Sequence, residues 1–119
     1  MKLEEGMYVR TDKGKIIKIE KLHKYEHDTI LVNINGYLVN SLEITKASHN
    51  IIDLIEENDL VTLTSKYCER DIYRVEGKFR EYISLDTLGD GTLIINNSKD
   101  IKSIVTKEQF ESMSYKVKE

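Results

Sequence analysis

The sequence predicts a mainly β protein, built as two tandem small SH3-like antiparallel β-barrels with short helical turns. Three observations carry that expectation. Short runs rich in β-branched residues alternate with Gly-, Asn- and Asp-containing turns along most of the chain. The two halves open and close on similar segments, which is the mark of a weak internal repeat. Only two stretches have helical character. A single continuous β-sandwich is the rival architecture.

Residues 7–11 and 15–21 flank Asp12-Lys13-Gly14, a three-residue connection with glycine where a type I turn plus G1 bulge needs a positive φ. Residues 28–34 lead through Asn35-Gly36, a strong two-residue hairpin signal, into 37–39. Farther on, segments 60–64, 71–75, 79–85 and 92–95 read as strands, with Glu76-Gly77-Lys78 and Asp90-Gly91 as turns. The stretch 47–57 carries Ile51, Ile52, Leu54 and Ile55, with Ser48 or Asn50 as N-cap, and predicts one short helix or a 3₁₀ turn. Thr106-Lys-Glu-Gln109 is a capping box that opens a helix near 106–113, with Phe110 and Met113 as an apolar i,i+3 pair.

The repeat sets the domain boundaries. Glu4-Glu-Gly-Met-Tyr-Val9 precedes a strand in one half as Glu56-Glu-Asn-Asp-Leu-Val61 does in the other. Gly36 to Ser41 followed by Ile44-Thr-Lys46 resembles Gly91 to Ser98 followed by Val105-Thr-Lys107. Residues 1–50 then form a first barrel module and 51–119 a second. The chain of 119 residues has one cysteine and no proline or tryptophan. By surface scaling it can bury roughly two-thirds of its unfolded surface, so a core forms without disulfides or a metal.

Charge narrows the function classes. A net charge of −3 argues against a globally basic nucleic-acid or membrane-surface protein. The acidic start Met1-Lys-Leu-Glu-Glu-Gly lacks a signal peptide's apolar stretch, and no run is long enough to span a bilayer, which predicts a cytoplasmic protein. The basic residues nevertheless cluster twice. Arg10, Lys13, Lys15 and Lys18 crowd the first hairpin and suit phosphate contacts of a nucleic acid. Arg70, Tyr73, Arg74, Arg80 and Tyr82 interleave cations with aromatics, a mixture that holds phosphates, stacks on bases or forms protein hot spots. Alternation puts Tyr73 and Val75 on one strand face and Ile72 and Arg74 on the other.

Other constellations lead less far. His23 and His27 have zinc-like spacing but fall in an expected loop, and with His49 and Cys68 elsewhere they predict no metal site. Asp86 to Asp90 begins like a calcium loop, but Leu88 and Asn97 stand where ligands belong. No phosphate loop, nucleophile elbow or paired-carboxylate motif is present, so neither catalysis nor a cofactor is expected.

In three segments, 5–11, 46–56 and 100–113, the chain resembles a group of small uncharacterised phage- and prophage-encoded proteins of clostridia-like bacteria. The resemblance implies a phage accessory role in the bacterial host cytoplasm and transfers no catalytic residues. It suggests a non-catalytic binder that neutralises a host component, as an inhibitor of an immune effector or a sponge for a nucleotide immune signal. The partner is then a host immune protein or an anionic nucleotide, with no membrane, and self-association stays open. The alternative is a nucleic-acid-binding module of phage replication or transcription.

Overall fold

The computed structural model describes residues 2–25, 29–33, 35–64, 72–87, 89 and 91–113 of the chain. Arg70, Cys68 and His27, singled out above, lie outside the described residues. The protein is mainly β and divides into two compact units, residues 1–54 and 55–119.

In the first unit, β1 (Tyr8–Thr11) and β2 (Ile16–Lys18) form the expected hairpin, with Val9 opposite Ile17. Its turn is the G1 type: Gly14 has φ +80° and donates its N–H to the Thr11 carbonyl, while the Thr11 N–H donates to Lys15. Ile19 still bonds Met7 and Gly6, and the chain then bends into β3 (Lys21–Lys24). The stretch expected as one strand therefore serves two sheets. Strands β4 (Thr29–Val32) and β5 (Leu38–Asn40) complete the second sheet, in the order β3-β4-β5.

The hairpin between β4 and β5 closes at Asn33 and Tyr37, not tightly around Asn35-Gly36 as the sequence suggested. The Asn33 side-chain oxygen accepts from the N–H groups of both Asn35 and Tyr37, and this local capture favours the wider turn with Gly36 at φ +77°. A 3₁₀ turn (Ser41–Glu43) then leads into β6 (Ile44–Ser48), which returns antiparallel to β1 and gives the sheet β2-β1-β6. Between the sheets lies a core of Val9, Ile17, Ile19, Leu31 and Val39, with Leu3, Met7, Leu22, Ile44 and Ala47 packed against it. Of the two forms expected over 47–57, the 3₁₀ turn is the one present, at Ile51–Leu54. Ala47 and Ser48 belong to β6, and Asn50 caps the turn by accepting from the Ile52 N–H.

The second unit is one five-stranded sheet in the order β10-β9-β8-β7-β11. Its strands are β7 (Leu60–Leu63), β8 (Tyr73–Lys78), β9 (Ile83–Asp86), β10 (Thr92–Ile95) and β11 (Ile101–Val105). Glu76-Gly77-Lys78, expected as a turn, is the end of β8 instead. Gly77 sits beside a register irregularity opposite Ser84, which is the other use a strand makes of glycine. The reversal falls at residues 79–82, where the Phe79 N–H donates to the Tyr82 carbonyl.

Both units share a strand order once β2 and β3 are counted as one bent strand: β5-β4-β3/β2-β1-β6 matches β10-β9-β8-β7-β11. They also share the device that turns the chain back. Asn40 accepts from the Leu42 N–H at the start of Ser41–Glu43, and Asn97 accepts from the Lys99 N–H at the start of a second 3₁₀ turn (Ser98–Asp100). The sequence comparison aligned Ile44 with Val105, whereas the structure aligns it with Ile101, since each isoleucine closes its turn and opens the returning strand.

The sheets are small and do not close into barrels. In each unit the outermost strands, β5 and β6 or β10 and β11, share no ladder, so the expected closure is absent among the described residues. Helix α1 (Lys107–Met113) follows β11 and carries the capping box as read: Thr106 N–H donates to Gln109 Oε1, and Gln109 N–H donates to Thr106 Oγ1. Phe110 and Met113, the apolar i,i+3 pair read from the sequence, are both exposed. Among the described residues, no helix is long and apolar enough to cross a membrane.

Candidate binding surface

Strand alternation decides what each residue of the arginine–tyrosine cluster can do. Along β8 the odd positions Tyr73, Val75 and Gly77 are buried, while Arg74 and Glu76 are exposed. Tyr73 is therefore a core residue at 4% exposure and offers no face to a ligand, which corrects its assignment as a binding residue. Arg74 is exposed but engaged: Nη2 lies 3.1 Å from Asp86 Oδ2 and Nη1 donates to Asn58 Oδ1 at 3.1 Å. Asn58 presents that oxygen from a backbone at φ +73°, the left-handed region that asparagine tolerates better than other side chains bearing a Cβ. Arg74 thus ties neighbouring segments of the sheet together.

Tyr82 is joined by Phe79, which lies outside the arginine–tyrosine cluster read from the sequence. At the β8–β9 reversal the rings of Phe79 and Tyr82 stack, with centroids 4.6 Å apart and planes 17° from parallel. Arg80 and Glu81 stand between them in the chain, both exposed, and Phe79 itself is 47% exposed. The reason the ring lies where it does is Gly77. A Cβ there would approach Phe79 Cε2 to 2.9 Å and Ser84 Oγ to 2.9 Å, so the bare backbone is the floor on which the ring rests. Floor and stacked pair form one local structure, and Arg80 lies in the turn that joins the two rings. The signal for it was Gly77 two residues before Phe79 and five before Tyr82, which reads equally well as a turn.

The lysine-rich cluster of the first unit is dispersed by folding. Arg10 is wholly buried in β1, and its Nη1 donates to the Leu54 carbonyl at 2.9 Å, holding the Ile51–Leu54 turn against β1. That corrects its assignment as a phosphate contact. Lys15 Nζ lies 3.3 Å from the centroid of the Tyr37 ring, and Lys18 Nζ lies 5.9 Å from that of Tyr8. Lys13 is exposed on the hairpin turn. With Arg10 buried, the four residues do not form one exposed phosphate track.

The histidines also have specific places. His23 is an exposed β3 residue and not part of a loop. His49 Nε2 is 3.0 Å from Glu4 Oε2, and the hydrogen bond and charge of that imidazole hold the Glu4 carboxyl below its ordinary value. Among the described residues, no group of three or more His, Cys, Asp or Glu side chains is arranged to hold a metal ion.

One buried polar centre was not anticipated. Asp59, with no exposed surface, accepts from the Glu56 N–H at 2.8 Å through Oδ2 and from the Lys107 N–H at 2.9 Å through Oδ1. It therefore satisfies the first amide of α1 from a residue 48 positions away, beside the Thr106 cap. An ion pair between Lys107 Nζ and Glu56 Oε1, 2.8 Å long, spans the same junction. In comparisons with known proteins, no family model, curated protein or solved structure matches the chain.

Proposed function

We propose that the chain is a non-catalytic phage accessory protein that binds and neutralises a component of host defence in the bacterial cytoplasm, using the β8–β9 reversal as its contact. The single observation behind this reading is the stack of exposed Phe79 on half-buried Tyr82, with exposed Arg80 in the turn that joins them. Tyrosine and arginine are the residues most enriched at the energetic centres of protein interfaces, and a stacked pair loses little side-chain entropy on binding.

A protein target is favoured over a nucleotide at this place. Rings already stacked at 4.6 Å leave no slot for a base between them, Tyr73 is buried, and Arg74 is neutralised by Asp86. Arg80 with adjacent Glu81 suits a mixed polar rim better than a polyphosphate. The resemblance of segments 5–11, 46–56 and 100–113 to phage proteins supplies the setting. Each unit is further read as an SH3-like module left open, a reading supported by the shared strand order and by the 3₁₀ turn between its fourth and fifth strands.

The test is expression of the chain in bacteria that carry an immune system restricting a phage. The wild-type chain should restore phage growth, and a Phe79→Ala/Arg80→Ala/Tyr82→Ala variant with an unchanged unfolding midpoint should not. Equal protection by the folded variant refutes the assignment of the contact.

A further inference from the structure

The first unit holds a pocket that none of the sequence motifs indicated. It has a volume of about 500 Å³ and is lined by Lys2, Leu3, Leu22, Lys24, Thr29 and Ser41. That volume falls within the size range of small-molecule sites, about 300–1,000 Å³.

Register explains how six residues from four segments converge. Leu22 and Lys24 are two apart on β3 and so share a face, and Thr29 is the cross-strand partner of Lys24. That face continues inward through Leu31, the partner of Leu22 and a fully buried core residue. The N-terminal segment adds Leu3, which with Leu22 packs on the core and makes an apolar floor. Ser41, first residue of its 3₁₀ turn, arrives beside Thr29 because its Oγ accepts from the Thr29 N–H at 3.2 Å. With its oxygen so occupied, the Ser41 hydroxyl proton is left to donate. Among the described residues, the lining thus sets two ammonium groups and two hydroxyls over two leucines and includes no carboxylate.

Glu4, close enough to Lys2 to feel its charge, is hydrogen-bonded to His49, and His23 alternates to the opposite face of β3 from Lys24 and Leu22. Two ammonium groups match the charge of about −1.5 to −2 that a phosphate monoester carries, and its three terminal oxygens also accept from the hydroxyls, whereas a carboxylate carries a single charge. A bare phosphate would leave the leucine floor uncovered. We infer that this pocket binds a small organic phosphate, its anionic group on Lys2, Lys24 and Ser41 and its less polar body on Leu3 and Leu22. The inference is independent of the β8–β9 contact.

Amide chemical-shift mapping of the full chain tests it with three probes: adenosine 5′-monophosphate, inorganic phosphate and adenosine. The monophosphate should move the resonances of Leu22 to Lys24, Thr29 and Ser41, inorganic phosphate should move the same set more weakly, and adenosine should move none at equal concentration. A Lys2→Ala/Lys24→Ala variant replaces two exposed side chains, and its unshifted spectrum elsewhere reports that it folds. It should bind the monophosphate about tenfold more weakly or worse, as loss of a charge-assisted contact predicts. Added salt should weaken the wild-type complex, a readout that needs no variant. The inference is overturned if neither phosphate probe moves these resonances, if adenosine binds as well as its monophosphate, or if the double variant binds undiminished.

Discussion

Replacing Asp59 by alanine should detach α1 from the second unit, and the size of the effect follows from the geometry. The carboxylate is fully buried and accepts two backbone N–H groups, at 2.8 Å from Glu56 and 2.9 Å from Lys107. Hydrogen bonds to a charged acceptor contribute about 1.5–3 kcal/mol each, and a buried donor left without a partner costs about 1–3 kcal/mol. Loss of a negative charge from the first turn of a helix removes roughly 0.3–1 kcal/mol more. The Lys107–Glu56 ion pair is present with and without the substitution and so does not enter the difference. The expected destabilisation is about 3–7 kcal/mol, a large fraction of the 5–15 kcal/mol typical of a domain. Asp59→Asn keeps one acceptor oxygen but turns an N–H₂ toward the other amide, so it should recover only part of the loss. Urea unfolding followed by circular dichroism gives the total, and amide exchange at Glu56 and Lys107 localises it. A loss for Asp59→Ala below about 1 kcal/mol, with those two amides still protected, would refute the reasoning, because it would mean the helix start is satisfied without the carboxylate.

Gly77→Ala should destabilise the second unit by about 1–3 kcal/mol, because the new Cβ meets the Phe79 ring and Ser84 Oγ at 2.9 Å. Loss of the near-ultraviolet signal of the Phe79–Tyr82 stack accompanies the lower melting temperature, and an unchanged signal would show that the ring does not rest on Gly77. For the Glu4–His49 pair the folded-state carboxyl is depressed, so its contribution is present above the ordinary glutamate range and is lost as pH falls through the depressed value. Carboxyl-carbon titration should show the Glu4 midpoint rising to the ordinary value in His49→Ala, and an unmoved midpoint would assign the shift to another group.

What could be read from the sequence divides along physical lines. The Asp12-Lys13-Gly14 turn and the Thr106–Gln109 capping box were legible because both are closed by residues within four positions of one another, so local stereochemistry decides them. The alternation along β8 was legible for the same reason, although its consequence for Tyr73 was not: the pattern separates two faces without saying which one is buried. Arg10 shows the limit most directly. Counting charges treats every arginine as surface, and its burial is decided by the Leu54 carbonyl, 44 residues away. Gly77 was misread because glycine serves equally as a turn residue and as a place where a ring lies against bare backbone, and only the cross-strand register at Ser84 separates the two.

The repeat bears on why the units have the same strand order without closed barrels. In each, an Asn-Ser pair stops the fourth strand, caps a 3₁₀ turn and releases an isoleucine into a strand that must travel back to the first. The returning strand bonds β1 in one unit and β7 in the other, pairings with large sequence separations such as Tyr8 with Ser48 and Val61 with Ile104. Such contacts are slow to form, because the loop must close before they contribute. A cap that fixes the direction of departure reduces the number of conformations searched, and it does so with one side-chain bond, from Asn40 or Asn97 to the amide two residues on. Between those fixed ends the meanders differ: the first bends at Glu20 into two three-stranded sheets, while the second continues as one sheet of five. The conserved geometry within the chain is therefore the return, and the variable geometry is the meander, where both the Phe79–Tyr82 contact and the strand residues Leu22, Lys24 and Thr29 of the first unit's pocket reside.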